Sequence, residues 1–296
     1  MTILIKCNAL GNDFLILDCT THPQNHEFIT EENIKTIAHR RFGIGCDQFI
    51  VLTKSEKADA KIIFYNTDGS RAEACGNGTV ACGVYVSQLL KKAEISLETD
   101  VKIAKCLING NEATVELPVA EIQTFGLWKL DYKLSEFMGN IGCGAIERKI
   151  IEPKIVEYIS VGNPHCVFVL TKYTNNLNLL EDNAKKYFEN IGVAVEHMTD
   201  IFPNRTNVEF VVQTGENAFD CFIWERGSGA TLACGTGACA VARAAVKNGL
   251  ADENKPIFVT MAGSYQNGKV VPMKVELKND CTLFTNNVHF TGKISL

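Results

Sequence analysis

The chain has 296 residues, 46% of them hydrophobic and 21% charged, with a net charge of −5 from 29 basic and 34 acidic side chains. That length suits a globular protein of two domains, and a mildly acidic balance without a basic run argues against nucleic acid or an anionic membrane as partner. No stretch approaches eighteen apolar residues and no cationic, apolar leader opens the chain, so neither a membrane span nor a signal peptide is predicted and the cytoplasm is expected.

The elements repeat along the chain. Alternating apolar residues at Ile3 and Ile5 and at Phe14 and Ile16 predict two strands around the pair Gly11-Asn12. Residues 31–41 read as a helix with Thr30 as N-cap. Gln48 heads the strand-like run Phe49-Ile-Val-Leu52, and Asn66 closes another, Ile62-Ile-Phe-Tyr65. The stretch Ala74-Cys-Gly-Asn-Gly78 then leads into a helix rich in Ala and Val over 79–92. After Gly162-Asn163 the succession returns. An apolar run at 167–169 precedes a helix at 180–191, Asn207 heads Val208-Glu-Phe-Val-Val212, and Glu225 closes Cys221-Phe-Ile-Trp224. Ala233-Cys-Gly-Thr-Gly237 leads into a helix over 238–248, and 270–277 alternates as a further strand.

Cys75 and Cys234 lie 159 positions apart (234 − 75), with Asn66 and Glu225 nine residues before them and Gln48 and Asn207 twenty-seven before. A period this long is no solenoid repeat. It predicts an α+β protein of two duplicated, pseudo-symmetric domains, each with mixed or antiparallel sheet. The halves are placed at 1–122, completed by a C-terminal strand from about 280 to 296, and at 123–279.

Twelve cysteines need sorting. They are scattered through a large apolar chain without a secretion signal, which disfavours a disulfide framework, and neither C-x-x-C nor a histidine cluster suggests a metal. Cys7, Cys19, Cys106, Cys143, Cys221 and Cys281 read as small buried hydrophobes. Cys75 and Cys234 stand apart. Cys-Gly-x-Gly at a helix start places the thiol among backbone N–H groups at the positive end of the helix dipole, which favours the thiolate. The same N–H groups suit a carboxylate, and the glycines allow close approach. Two such thiols facing one carbon would exchange its proton from opposite sides, inverting a stereocentre by general acid–base catalysis. Nothing in the sequence calls for pyridoxal phosphate or another cofactor.

At these residues the sequence resembles the diaminopimelate epimerase family. The resemblance is carried by Leu10-Gly-Asn-Asp-Phe14, Arg41-Phe-Gly-Ile-Gly-Cys-Asp-Gln48, Asn66-Thr-Asp-Gly-Ser70, Ala74-Cys-Gly-Asn-Gly78, Gly162-Asn-Pro-His165, Phe202-Pro-Asn-Arg-Thr-Asn-Val-Glu-Phe210 and the run from Glu225 to Cys239. These motifs occur in family order over about residues 3–250 and are specific as a set. The resemblance implies a sheet wrapped around a central helix in each half, a site in the cleft between halves, and epimerisation of LL- to meso-diaminopimelate with Cys75 and Cys234 as acid and base. It implies that backbone amides of Gly76, Asn77, Gly235 and Thr236 hold the reacting carboxylate. Asn12, Asn66, Asn163, Asn207 and Arg226 would bind the remaining charged groups, with Gln48, His165 and Glu225 beside the reacting centre. Arg226 suits a carboxylate by bidentate pairing. The asparagines also suit turns, and His165 a supporting role.

The family's usual pattern is not complete. The Arg and Cys that commonly follow the first Cys-Gly-Asn-Gly are replaced by Val80 and Ala81, Arg71 stands where an acidic residue is usual, and Ala230 replaces a common Glu. The expected partner is a small amino acid, without nucleic acid or membrane, and a homodimer is compatible with the sequence. Rival readings are a racemase of another amino acid such as histidine, a relative of the proline racemases, and a non-catalytic amino-acid-binding protein.

Overall fold

The computed structural model describes residues 2–72, 75–100, 102–123, 153–170, 182–266 and 268–296; Cys143 and the first two positions of the helix expected from 180 lie outside them. The chain is α+β and groups into two compact units, Met1–Leu117 with Leu283–Leu296, and Pro118–Thr282.

In the first unit β1 (Ile3–Ala9) and β2 (Asn12–Asp18) form an antiparallel hairpin. Leu10 (φ 52°) and Gly11 (φ 84°) are both left-handed at its turn, which explains the glycine. Helix α1 (Glu31–Ala38) follows, and the Thr30 side chain accepts the Asn33 N–H at 3.1 Å as its cap. The helix stops three residues short of the expected end because His39 is already extended (φ −68°, ψ 120°).

β3 (Gln48–Thr53) runs parallel to β2 and antiparallel to β4 (Ala60–Asn66), with Phe14 opposite Gln48 and Gln48 opposite Asn66. β5 (Arg71–Ala72) extends β4. Helix α2 (Gly76–Leu90) precedes β6 (Glu94–Glu98), β7 (Ile103–Asn109) and β8 (Glu112–Leu117). The late strands return, β19 (Thr282–Asn287) onto β8 and β20 (His289–Ser295) onto β1. Strands β1 to β4 and β6 to β8 all pack against α2, whose ten residues from Asn77 to Val86 are buried without a break. An apolar helix of this kind belongs inside a core. The strands beneath it are covered on both faces. Leu15, Leu17, Phe49 and Val51 pack toward α1, and Ile50, with the alternate orientation, reaches the first turn of α2.

The second unit repeats this plan. β9 (Glu121–Gln123), β10 (Pro153–Ser160), β11 (Pro164–Leu170), β12 (Asn207–Gly215) and β13 (Ala218–Glu225) pair in that order, with β11 and β12 parallel. His165 lies opposite Asn207. β14 (Gly229–Ala230) extends β13, and beyond it come β15 (Ile257–Thr260), the small ribbon β16 (Tyr265–Gln266) with β17 (Lys269–Val270), and β18 (Met273–Leu277). Helix α3 (Asp182–Glu196) runs five residues past its expected end, since Phe188, Ile191 and Val195 face the cluster of Phe168, Phe210 and Phe222. Helix α4 (Gly235–Lys247) packs against β9 to β13, β15 and β18. Each fully buried side chain of this size contributes about 1.5–3 kcal/mol, so enclosure holds α2 and α4 despite the glycines that open them.

Candidate active site

Both central helices begin three residues earlier than glycine content suggests, and both are capped by the cysteine. Cys75 is extended (φ −144°, ψ 114°), and its Sγ accepts the Gly78 N–H at 3.3 Å. Cys234 has nearly the same backbone (φ −134°, ψ 115°), and its Sγ accepts the Gly237 N–H at 3.4 Å. The thiol takes the place of the usual Ser or Asp cap, so each sulfur sits at the positive helix end. The second glycine of each loop permits this. A Cβ on Gly78 would lie 2.6 Å from Phe64 Cε1, and one on Gly237 would lie 3.0 Å from Glu209 Oε1 and 3.1 Å from Ile223 Cδ1.

Around Cys75, Asn12 Oδ1 lies 3.9 Å from Sγ and accepts from Asn77 Nδ2 at 3.3 Å. Asn12 Nδ2 donates to Asp47 Oδ2 at 3.0 Å, and Arg40 bridges Asp47 to Asp13. The buried Asn77 also accepts from Asn286 Nδ2 at 3.0 Å. Gln48 faces Asn66 across the ladder, and its Oε1 is buried with no hydrogen-bond partner among the described residues. Asn66 donates to Ser70 Oγ at 3.0 Å.

Around Cys234 the corresponding places hold more acidic groups. Thr236 Oγ1 lies 3.5 Å from Sγ and accepts from Asn163 Nδ2 at 3.2 Å. Asn163 Oδ1 lies 3.0 Å from His165 Nε2, and His165 Nδ1 lies 2.6 Å from Glu209 Oε1. The half-buried Glu225 accepts from Thr231 Oγ1, and desolvation of its carboxyl raises it above the ordinary range. The thiol of Cys234 corrects the sequence expectation of a favoured thiolate. Burial, followed by the charges of Glu225 and Glu209, pushes it well above the ordinary value, outweighing the Thr236 and Gly237 donors. Burial and the neighbouring carboxyls thus favour the thiol of Cys234 over the thiolate.

Asn207 is engaged with backbone at both ends, donating to Pro164 O at 2.9 Å and accepting the Arg226 N–H at 2.9 Å. Arg226 donates through Nη1 to Asn204 O at 2.8 Å. Within the first unit Cys75, Asn12, Gly76 and Asn77 thus come together, with Gln48 opposite Asn66; within the second, Cys234, Thr236, Asn163 and His165 join in one chain, with Gly235 in the same helix turn. Sequence reasoning missed Asp47, Glu209, Thr231 and Asn286. Only Glu209 had a readable signal, a charged residue at an inward position of the apolar run 208–212. No cluster of three metal-binding side chains occurs among the described residues, and no described helix is long and apolar enough to cross a membrane.

Residues 4–117 and 157–273 match the family model described as diaminopimelate epimerase. The diaminopimelate epimerase of Bacteroides thetaiotaomicron is 35% identical over 261 residues, 86% of this chain and 85% of the relative. That of Heliobacterium modesticaldum is 32% identical over 294 residues, 97% of this chain and 95% of the relative. Among solved structures, a phenazine biosynthesis protein of the PhzF family from Bacillus anthracis aligns with a TM-score of 0.67 at 15% identity, covering 100% of this chain and 98% of that one. A probable proline racemase from Agrobacterium radiobacter aligns with a TM-score of 0.63 at 13% identity, covering 100% and 93%. These two share the fold; the sequence relatives and the family model decide the membership, and the chain belongs to the diaminopimelate epimerase family.

Proposed function

We propose that this protein is an isomerase that interconverts LL- and meso-diaminopimelate, with Cys75 and Cys234 as its acid–base pair. The observation that carries the reading is the duplicated cap: two cysteines in equivalent places, each with its sulfur 3.3–3.4 Å from a helix-start N–H. One thiolate takes the α-proton while the other thiol returns a proton to the opposite face, and the two stereoisomers use the pair in opposite senses. Positioned acid–base groups supply about 10²–10⁴-fold. The α-proton is a very weak acid, so the developing negative charge needs further stabilisation. First-turn amides at Gly76, Asn77, Gly235 and Thr236 serve the α-carboxylate, each such donor being worth about 10²–10³-fold in comparable sites.

Gln48 Oε1, buried and lacking a partner among the described residues, suits an ammonium group, and Asn12, Asn66 and Asn163 add polar atoms for the substrate's other charges. Arg226 recognises a distal carboxylate, Asn207 holds the Arg226 backbone in place, and Glu225 and His165 flank the Cys234 side.

The test is incubation of the reduced protein in deuterium oxide with LL-diaminopimelate or with L-histidine. Deuterium at the α-carbon of diaminopimelate alone is expected. Exchange with histidine alone overturns the substrate, and exchange with neither overturns the reaction.

A further inference from the structure

Beneath the first turn of α4 lies a buried pair that the proposed proton transfer does not use. His165 and Glu209 are both 0% exposed, 2.6 Å apart through Nδ1 and Oε1, and Glu209 Oε2 has no hydrogen-bond partner among the described residues. Burying a carboxyl with so few partners is costly, and an apolar side chain of similar size is the more stable choice. The first unit has that choice. Counted from Asn12 and Asn163, Phe14 stands where His165 does; counted from Gln48 and Asn207, Ile50 stands where Glu209 does. Phe14 and Ile50 are fully buried. Ile50 Cδ1 would lie 3.2 Å from a Cβ on Gly78, and Glu209 Oε1 lies 3.0 Å from one on Gly237, so both occupy the same place under their helix starts.

Among the described residues, the hydrogen-bonded chain that starts from this pair ends on the sulfur of Cys234. From His165 Nε2 the chain passes to Asn163 Oδ1 at 3.0 Å, from Asn163 Nδ2 to Thr236 Oγ1 at 3.2 Å, and from Thr236 Oγ1 to Cys234 Sγ at 3.5 Å. Asn163 gives the chain a direction, because its oxygen only accepts and its nitrogen only donates. With a proton on Nε2, Oδ1 accepts, Nδ2 donates to Thr236, and the Thr236 hydroxyl hydrogen is left for the sulfur. With Nε2 bare, the amide turns over, Thr236 donates to Asn163, and Cys234 must donate its S–H. The first polarity favours the thiolate and the second the thiol.

We infer that Glu209 is a positioning residue: by sharing one proton with His165 Nδ1 it keeps the second on Nε2, so that Asn163 and Thr236 present a donor to the sulfur of Cys234. The pair holds two protons, and neither travels along the chain during turnover. Glu225, Cys166 and Cys221 are the other titratable groups whose charges act within this cluster. The consequence for catalysis rests on the reading of Cys234 as an acid–base group; the polarity at its sulfur does not.

The test compares the wild-type chain with Glu209→Leu and Glu209→Gln. Iodoacetamide alkylation of Cys234 and Cys75 is followed by peptide mass spectrometry across pH, with Cys75 as internal reference, alongside the pH profile of α-proton exchange. Glu209→Leu should slow Cys234 alkylation about tenfold at neutral pH, the equivalent of a one-unit rise in thiol pKa, while the Cys75 rate holds. Glu209→Gln, whose amide can donate to Nδ1 and leave Nε2 protonated, should recover most of the rate. The kcat for exchange should follow Cys234, with KM little moved.

An unchanged ratio of the two alkylation rates in folded Glu209→Leu overturns the inference, as does a Gln variant impaired as much as the Leu variant. If the Leu variant does not fold, Thr236→Val cuts the last link and must show the same selective slowing. If iodoacetamide does not reach Cys234 in the folded protein, an unshifted exchange profile overturns it. Wild-type protein that fails to exchange the α-proton removes the epimerase reading, and the alkylation comparison still decides the relay.

Discussion

Gly78→Ala puts the capping geometry under direct strain. The new methyl group would lie 2.6 Å from Phe64 Cε1 and 3.2 Å from Ile50 Cδ1, where carbon atoms ordinarily rest at about 3.5–4.0 Å; about 1 Å is missing. Phe64 is 2% exposed and Ile50 0% exposed, so neither ring nor methyl can swing aside. The first turn of α2 must lift, and Cys75 lifts with it, since its sulfur is hydrogen-bonded to Gly78 itself. Overpacking of this kind costs about 1–3 kcal/mol, and alanine returns about 1 kcal/mol of helix propensity, leaving a net loss of about 0–2 kcal/mol. Activity should suffer more, because a reacting group displaced by about 1 Å loses on the order of 10²-fold. Urea denaturation and the rate of deuterium incorporation at the α-carbon measure the two effects in one preparation. Gly76→Ala, whose nearest neighbour would be Leu117 Cδ1 at 3.8 Å, is the stability control. A Gly78→Ala protein with more than half of the wild-type exchange rate would refute the claim that this glycine sets the thiol's position.

Cys75→Ser and Cys234→Ser should each lower exchange by at least the ~10²-fold of a lost acid–base group, with circular dichroism unchanged; full activity in either sinks the two-thiol mechanism. Asn286→Ala removes the buried hydrogen bond to Asn77 and should cost about 1–3 kcal/mol in denaturant unfolding and raise KM, whereas an unchanged KM would separate Asn77 orientation from binding. Asp18 is buried, which works against its charge, but hydrogen bonds from Thr20 and Thr21 hold its carboxyl below the ordinary value of 3.8. Its contribution is therefore present above that value and lost as pH falls through the lowered one. The stability gap between wild type and Asp18→Asn should be full at neutral pH and close below about pH 4; a gap independent of pH refutes the assignment.

The repeated order of strands and helices was legible because burial imposes its period on the sequence. In β2 and β3 the alternate residues face α1 and α2, so both sets are apolar. The starts of the central helices were legible only in part. Gly76 and Gly235 have poor helix propensity, which predicts a loop up to Thr79 and Ala238, yet enclosure by seven strands and a sulfur cap outweigh propensity. The Cys234 thiol was misjudged for a related reason. A helix start in a sequence looks the same whether water or two carboxyls surround it, and the pairing of Glu225 and Glu209 around Cys234 depends on strands β12 and β13 lying side by side. Asp47 and Asn286 were not legible at all, because the residues they hold in the site, Asn12 and Asn77, lie thirty-five and 209 positions away in the chain.

The two units show what duplication leaves free to vary. The backbone at the two thiols is nearly the same, with φ of −144° and −134° and the same cap to the third residue. The side chains beneath differ in kind: Phe14 and Ile50 in one unit, His165 and Glu209 in the other. A proton exchange that runs in both directions needs each sulfur to be thiol in one half-reaction and thiolate in the other. Cys234, pushed toward the thiol by burial and by Glu225, meets that need only if something offers a donor when its proton leaves. Thr236 stands 3.5 Å away in that role, and the hydroxyl can face the sulfur only while Asn163 donates to it. Asn163 donates only while His165 Nε2 carries a proton. The buried carboxyl of Glu209, costly to the fold, is what keeps that proton in place.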